Sequence, residues 1–107
     1  MRVLFDQGTP APLRKFLPGH TVKTAAEEGW DRLSNGELLR AAEDSGFDVL
    51  VTTDKNLRFQ QDLSARRLAV VVLGNPRWPV LRNHVNLVLS AVAAAVPGTC
   101  AEIEIPA

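Results

Sequence analysis

The chain has 107 residues, enough for one domain, and its 12 Lys and Arg balance 12 Asp and Glu. A hydrophobic content of 46% with 22% charged residues places it among soluble globular proteins and excludes an intrinsically disordered chain. Zero net charge offers no overall attraction to nucleic acid or an anionic membrane. The single cysteine, Cys100, excludes an intramolecular disulfide and a Cys-based zinc site. Val3-Leu4-Phe5 reads as a buried strand, closed by Asp6-Gln7-Gly8. Thr9-Pro10 opens a helix carrying Leu13, Phe16 and Leu17, and Pro18-Gly19 stops it. His20 to Thr24 is a short half-polar strand, and Ala25 to Leu33 a loop or short helix. Ser34 or Asn35 then caps a helix with Leu38, Leu39, Ala41 and Ala42 as its apolar stripe, ended by Ser45-Gly46.

Asp48 to Thr53 is the clearest strand and runs straight into Asp54; a short helix follows near Leu57 to Leu63. Leu68 to Leu73 is an almost unbroken apolar strand ended by Gly74-Asn75-Pro76. Pro79 starts a long helix with Val80, Leu81, Val85, Val88, Leu89 and Val92 inward, and Pro97-Gly98 ends it. Cys100 to Ile105 alternates as a half-exposed edge strand. Unbroken apolar strands alternating with helices predict a single α/β domain over residues 1–107. Its sheet is mostly parallel and covered on both faces, with a C-terminal edge strand; a core order 2-1-3-4 would set the first and third strands side by side. The N-terminal apolar run is too short for a secretory signal, and the stretch from Val85 to Val96 is too short to span a bilayer. The expectation is therefore a cytoplasmic protein with no membrane partner.

Open parallel sheets bind ligands beyond the carboxyl ends of their strands, at the switch in strand order. Asp6 follows the first strand; Thr52, Thr53 and Asp54 close the third; Gly74 and Asn75 follow the fourth. In a 2-1-3-4 order the first and third strands are neighbours, so Asp6 and Asp54 meet. Adjacent carboxylates repel, and a hard divalent cation relieves that repulsion. A metal so held activates water and stabilises charge on a phosphodiester. The competing reading makes each Asp a turn former or cap. Glu37 is a third acid, three residues after Ser34, a capping-box spacing that accounts for it without a metal.

Three blocks together resemble a compact PIN-like family, the uncharacterised PIN-like proteins associated with toxin–antitoxin modules. They are Val3-Leu4-Phe5-Asp6, Asn35-Gly36-Glu37-Leu38-Leu39-Arg40-Ala41-Ala42, and Val49-Leu50-Val51-Thr52-Thr53-Asp54-Lys55-Asn56-Leu57. The resemblance spans roughly Arg2 to Leu73. It implies a three-layer, Rossmann-like PIN fold and Mg- or Mn-dependent cleavage of RNA. Asp6, Glu37 and Asp54 would be the metal-holding, catalytic acids, and a small helix-turn-helix antitoxin the partner. Two positions depart from the family pattern. Asn35 stands where the middle block usually opens with Asp, and Asn56-Leu57 stands where the last block usually reads Asp-Phe. An amide offers a carbonyl oxygen but no charge, so the metal is expected to be weakly held.

Gln7, Asn35, Thr53, Lys55, Asn56, Arg58 and Asn75 are the residues expected to support the acids or touch substrate. Arg14, Lys15, Arg58, Arg66 and Arg67 can form a basic rim or lie on ordinary solvated faces, and Gln60 and Gln61 read as helix surface. His20 and His84 lack the spacing of a helical metal site and read as structural. Trp78 either stacks on a base or packs its loop onto the long helix. That helix's apolar face and the open edge of the last strand offer surfaces for a homodimer or a partner chain. Three functions follow: a metal-dependent toxin-type ribonuclease; a catalytically weakened module that binds RNA or a protein without cutting; and a phosphoreceiver-like domain. The last lacks its second acid beside Asp6 and its terminal lysine.

Overall fold

In a computed structural model, which describes residues 1–57 and 61–106, five parallel strands form one sheet in the order β2-β1-β3-β4-β5. They are β1 (Arg2–Phe5), β2 (Thr21–Thr24), β3 (Val49–Thr52), β4 (Ala69–Leu73) and β5 (Cys100–Ile103). Every residue of β3 and β4 is buried, as expected of strands covered on both faces. Successive side chains part to opposite sides of the sheet. Val3, Phe5, Val49, Val51, Val71 and Leu73 enter one apolar layer, and Leu4, Leu50, Val70 and Val72 enter the other. The architecture is thus a three-layer α/β sandwich, and the expected 2-1-3-4 core with an edge strand beyond it is present. The last strand joins parallel to β4.

Helix α1 (Asn35–Asp44) covers the second layer with Leu38, Leu39 and Ala42, joined by Leu57, Leu63 and Leu68 from the β3–β4 connection. Of the expected helix near Leu57 to Leu63, residues 58–60 lie outside the described residues. On the first layer the segment after β1 is a 3-10 helix (Ala11–Phe16), not an α-helix. With no side-chain cap and only six residues, it buries Leu13, with Leu17 just beyond its end. Phe16 does not join the core: it is 41% exposed and packs its ring on Trp78, centroids 5.8 Å apart.

The expected long helix from Pro79 is broken. Helix α2 (Trp78–Leu81), a 3-10 turn (Arg82–His84) and α3 (Val85–Ala93) follow one another. Leu81, Val88 and Val92 are fully buried, as the pattern implied, and Val80, Val85 and Leu89 pack at the margin. This β4–β5 connection steps across the sheet in the same direction as β2–β3 and β3–β4, yet lies on the opposite face, so it has the opposite hand. Such reversals are rare in parallel sheets. Here the layer opened by β1–β2 has only one 3-10 helix of its own, and α3 packs against that helix to close it. Gly74, at the end of β4, permits the crossing: its N–H donates to the Ile103 carbonyl at 2.8 Å, and a Cβ there would stand 2.6 Å from that oxygen.

Candidate metal centre

The register of the central strands sets the site. Phe5 pairs with Val51, and the Asp6 N–H extends the ladder by donating to the Val51 carbonyl at 3.1 Å. Asp6 therefore emerges beside Thr52, with Asp54 two residues further on. Asp6 Oδ2 accepts from the Thr52 hydroxyl, and its Oδ1 accepts from the Gly8 N–H at 3.1 Å and the Thr9 hydroxyl at 3.0 Å. The single Thr9 proton also faces the Val51 carbonyl at 2.9 Å. Thr52 and Thr9 are both buried. Gly8 lets the turn close on β3, since a Cβ there would overlap the Thr53 hydroxyl.

Burial pushes the Asp6 carboxyl above its ordinary value; the hydrogen bonds from Thr52, Thr9 and Gly8 oppose the shift, and the charge of Asp54 adds to it. Asp54 is held differently. Its Oδ2 accepts from Asn35 Nδ2 at 2.8 Å and its Oδ1 from the Asn56 N–H at 2.9 Å, while its own N–H donates to Thr52 Oγ1 at 3.1 Å. Thr52 thus joins the two acids. Asn35 serves as a donor to Asp54.

Glu37 stands apart from the pair. Ser34 caps α1, and the reciprocal capping box is complete: the Ser34 N–H donates to Glu37 Oε1 at 3.0 Å, and the Glu37 N–H donates to Ser34 Oγ at 3.4 Å. The Ser34 bonds hold this exposed carboxyl below its usual value. Among the described residues no three His, Cys, Asp or Glu side chains form a metal-binding group. Two acids nevertheless suffice for magnesium, which keeps several of its waters. A carboxylate accepts at about four lone-pair positions. The bonds above fill three on Asp6 and two on Asp54, so each acid retains a position for a cation. The donor chemistry, carboxylate oxygens only, is that of a weakly held divalent ion.

A cleft of about 160 Å³ adjoins Asp6, lined by Gln7, Gly8, Ala25, Trp30, Asp31, Leu33, Asn35 and Leu38. Gln7 and Asn35 were expected at the site; Asp31 was not. Asp31 lies in the connection that leaves β2 at the carboxyl edge of the sheet, so an acid anywhere in that connection merited attention, not only one directly after a strand. Thr53 is half-buried against Gly8, Lys55 and Asn56 are exposed, and Asn75 shapes its own turn by accepting from the Arg77 N–H at 3.0 Å. Arg58 and Gln60 lie outside the described residues; Gln61 packs beside Gly36.

Among the described residues the basic rim does not assemble as a unit. Arg66 and Arg67 precede β4, at the amino edge of the sheet, opposite Asp6, and Arg66 pairs with Glu43 at 2.9 Å. Arg14 pairs with Glu27, whose carboxyl is held at about 2 by that contact first and by the Thr24 N–H. His20 meets the N-terminal amine at 3.3 Å, and Trp78 packs on Phe16. No helix among the described residues is long and apolar enough to cross a membrane. No family model matches the chain, and no curated protein or solved structure matches it.

Proposed function

We propose that this chain is a PIN-like, Mg- or Mn-dependent ribonuclease. It would act as a cytoplasmic, toxin-type component with a small helix-turn-helix partner. The observation that carries the reading is the pairing of Asp6 with Asp54 through Thr52 at the switch in strand order, with a cleft opening beside Asp6. Asp6 and Asp54 would hold the ion, which when bound supplies an activated water and neutralises charge on a phosphodiester. Thr52 and Thr9 orient the Asp6 carboxylate, and Asn35 orients that of Asp54. Glu37, locked in the cap of α1, positions the helix that carries Asn35. The purified chain with manganese or magnesium is expected to cut single-stranded RNA, and Asp6→Asn and Asp54→Asn to abolish the cutting. Equal cutting by either variant removes that acid from the mechanism.

A second reading has a specific observation behind it. The middle block contributes an amide to Asp54 and a capped Glu37, and among the described residues no third acid joins the pair. A module weakened in this way would bind RNA or a protein partner, including a second copy of itself, without cleavage. Retention of RNA with no products under any divalent ion distinguishes it from the nuclease.

A further inference from the structure

We infer that the cleft beside Asp6 receives a single nucleobase, and that it favours cytosine. The inference rests on the nucleic-acid reading above and adds to it the base the site recognises. At about 160 Å³ the cleft is close to the ~150 Å³ of an engineered apolar cavity that holds one benzene ring, so it has room for one six-membered ring. Its apolar lining comes from Ala25 and Leu38, both buried, with Leu33 and the half-buried Trp30 beside them. Trp30 is braced from outside the cleft by Phe47, ring centroids 6.0 Å apart and nearly perpendicular, so the indole is a fixed wall. Bases splayed from single-stranded RNA are recognised by aromatic walls of this kind together with polar groups that read their edges.

The polar lining sets the choice of base. Asp31 and Asp6 are carboxyl groups that accept hydrogen bonds when ionised, and Asp31 is the exposed one. Cytosine presents an exocyclic amino group, the partner a carboxylate accepts from; uracil presents a carbonyl oxygen at that position, which a carboxylate repels. Gln7 lines the same cleft, and its amide side chain can donate to the remaining carbonyl of the ring. Because Asp6 lines the cleft and also belongs to the acid pair, a nucleotide whose base enters here brings its phosphate toward Asp6 and Asp54.

The test uses the full chain carrying Trp78→Phe, which keeps a ring against Phe16 and leaves Trp30 as the sole indole fluorophore. It is run in EDTA with the nucleosides cytidine, uridine and guanosine, which carry no phosphate for Asp6 and Asp54 to repel. Quenching of Trp30 is expected to show cytidine binding about tenfold more tightly than uridine, the scale of one correctly read base edge. Asp31→Asn, whose amide donates to the uracil carbonyl, is expected to erase or reverse that preference. Trp30→Leu should weaken binding roughly fivefold or more and Trp30→Phe much less, both followed by calorimetry, with circular dichroism verifying the fold. Quenching by no nucleoside, equal affinity for all three, or an unchanged preference in Asp31→Asn overturns the inference. Since the titration contains neither metal nor phosphate, its result is separate from cleavage. A chain that binds cytidine and cuts nothing keeps the base site and loses the nuclease. A chain that cuts RNA but shows no base preference does the reverse.

Discussion

Thr52 is the residue through which the two acids communicate, and replacing it with valine isolates that role. The side chain is fully buried, and valine keeps its shape while exchanging the hydroxyl for a methyl. Two hydrogen bonds go: the one donated to Asp6 Oδ2 and the one accepted from the Asp54 N–H. A bond to an ionised carboxylate contributes about 1.5–3 kcal/mol and a neutral one about 0.5–1.5 kcal/mol. The additional buried methyl offsets about 1 kcal/mol, so a loss of about 1–3.5 kcal/mol remains. In a domain of this size each kcal/mol lowers Tm by about 4 °C or more. The larger share depends on Asp6 being charged. Its folded pKa lies above the ordinary 3.8, chiefly through burial, so at pH 3.8 the folded protein carries it mainly protonated. The loss in Thr52→Val should therefore be largest at neutral pH and shrink on acidification. Urea unfolding of both proteins at neutral pH and at pH 3.8, followed by circular dichroism, measures it. A destabilisation under about 0.5 kcal/mol, or one that is the same at both pH values, refutes the account of Asp6 and Thr52.

Asp6→Asn should stabilise the fold at neutral pH while removing metal-dependent cutting, the trade expected when a functional acid is held in a desolvated place. The sign follows from linkage: with the folded pKa raised, the group favours folding fully below 3.8, and that contribution is lost as pH rises through the folded pKa. The gain in Asp6→Asn should thus vanish in acid, as parallel urea titrations will show. Ser34→Ala should cost about 1 kcal/mol by uncapping α1. Glu37→Gln keeps an oxygen for the Ser34 N–H, so it should leave RNA cutting intact; a loss of cutting in a folded Glu37→Gln protein would show that Glu37 serves the metal. Asn35→Asp sets a second carboxylate against Asp54, and its Tm should rise with added manganese more steeply than that of the parent chain, read by scanning calorimetry with and without EDTA.

The sheet was legible because β3 and β4 are buried on both faces and carry no polar residue before Thr52, the pattern expected of inner parallel strands. The neighbourhood of Asp6 and Asp54 followed from strand order alone, since register fixes what lies at a strand's end. Helices were less legible where tertiary packing chooses among local forms. Leu13, Phe16 and Leu17 suit an α-helix, but a segment this short settles as a 3-10 turn and sends Phe16 outward to Trp78. The run from Pro79 has an unbroken apolar stripe, and nothing in its periodicity marks the 3-10 turn at Arg82–His84. Asp31 was missed because it follows no strand directly: only the path of the β2–α1 connection brings it to the cleft.

The amide at position 35 bears directly on what the site demands. Two carboxylates facing each other in a half-buried place require a cation, or one of them must take up a proton. Asn35 supplies a third solution, because its Nδ2 gives Asp54 a neutral donor at 2.8 Å. The Asn56 N–H gives it another at 2.9 Å, and Thr52 and Thr9 do the same for Asp6. Each acid is therefore satisfied without an ion, and folding has no need of one. A cation that binds here gains only what these donors leave, which is why the affinity is expected to be low. On the proposed reading, such a site would fill when metal and a phosphate arrive together, since the phosphate oxygens would provide the negative ligands that Asn35 does not. On that argument RNA and the divalent ion should each raise the affinity of the other, a reciprocity that binding free energies require.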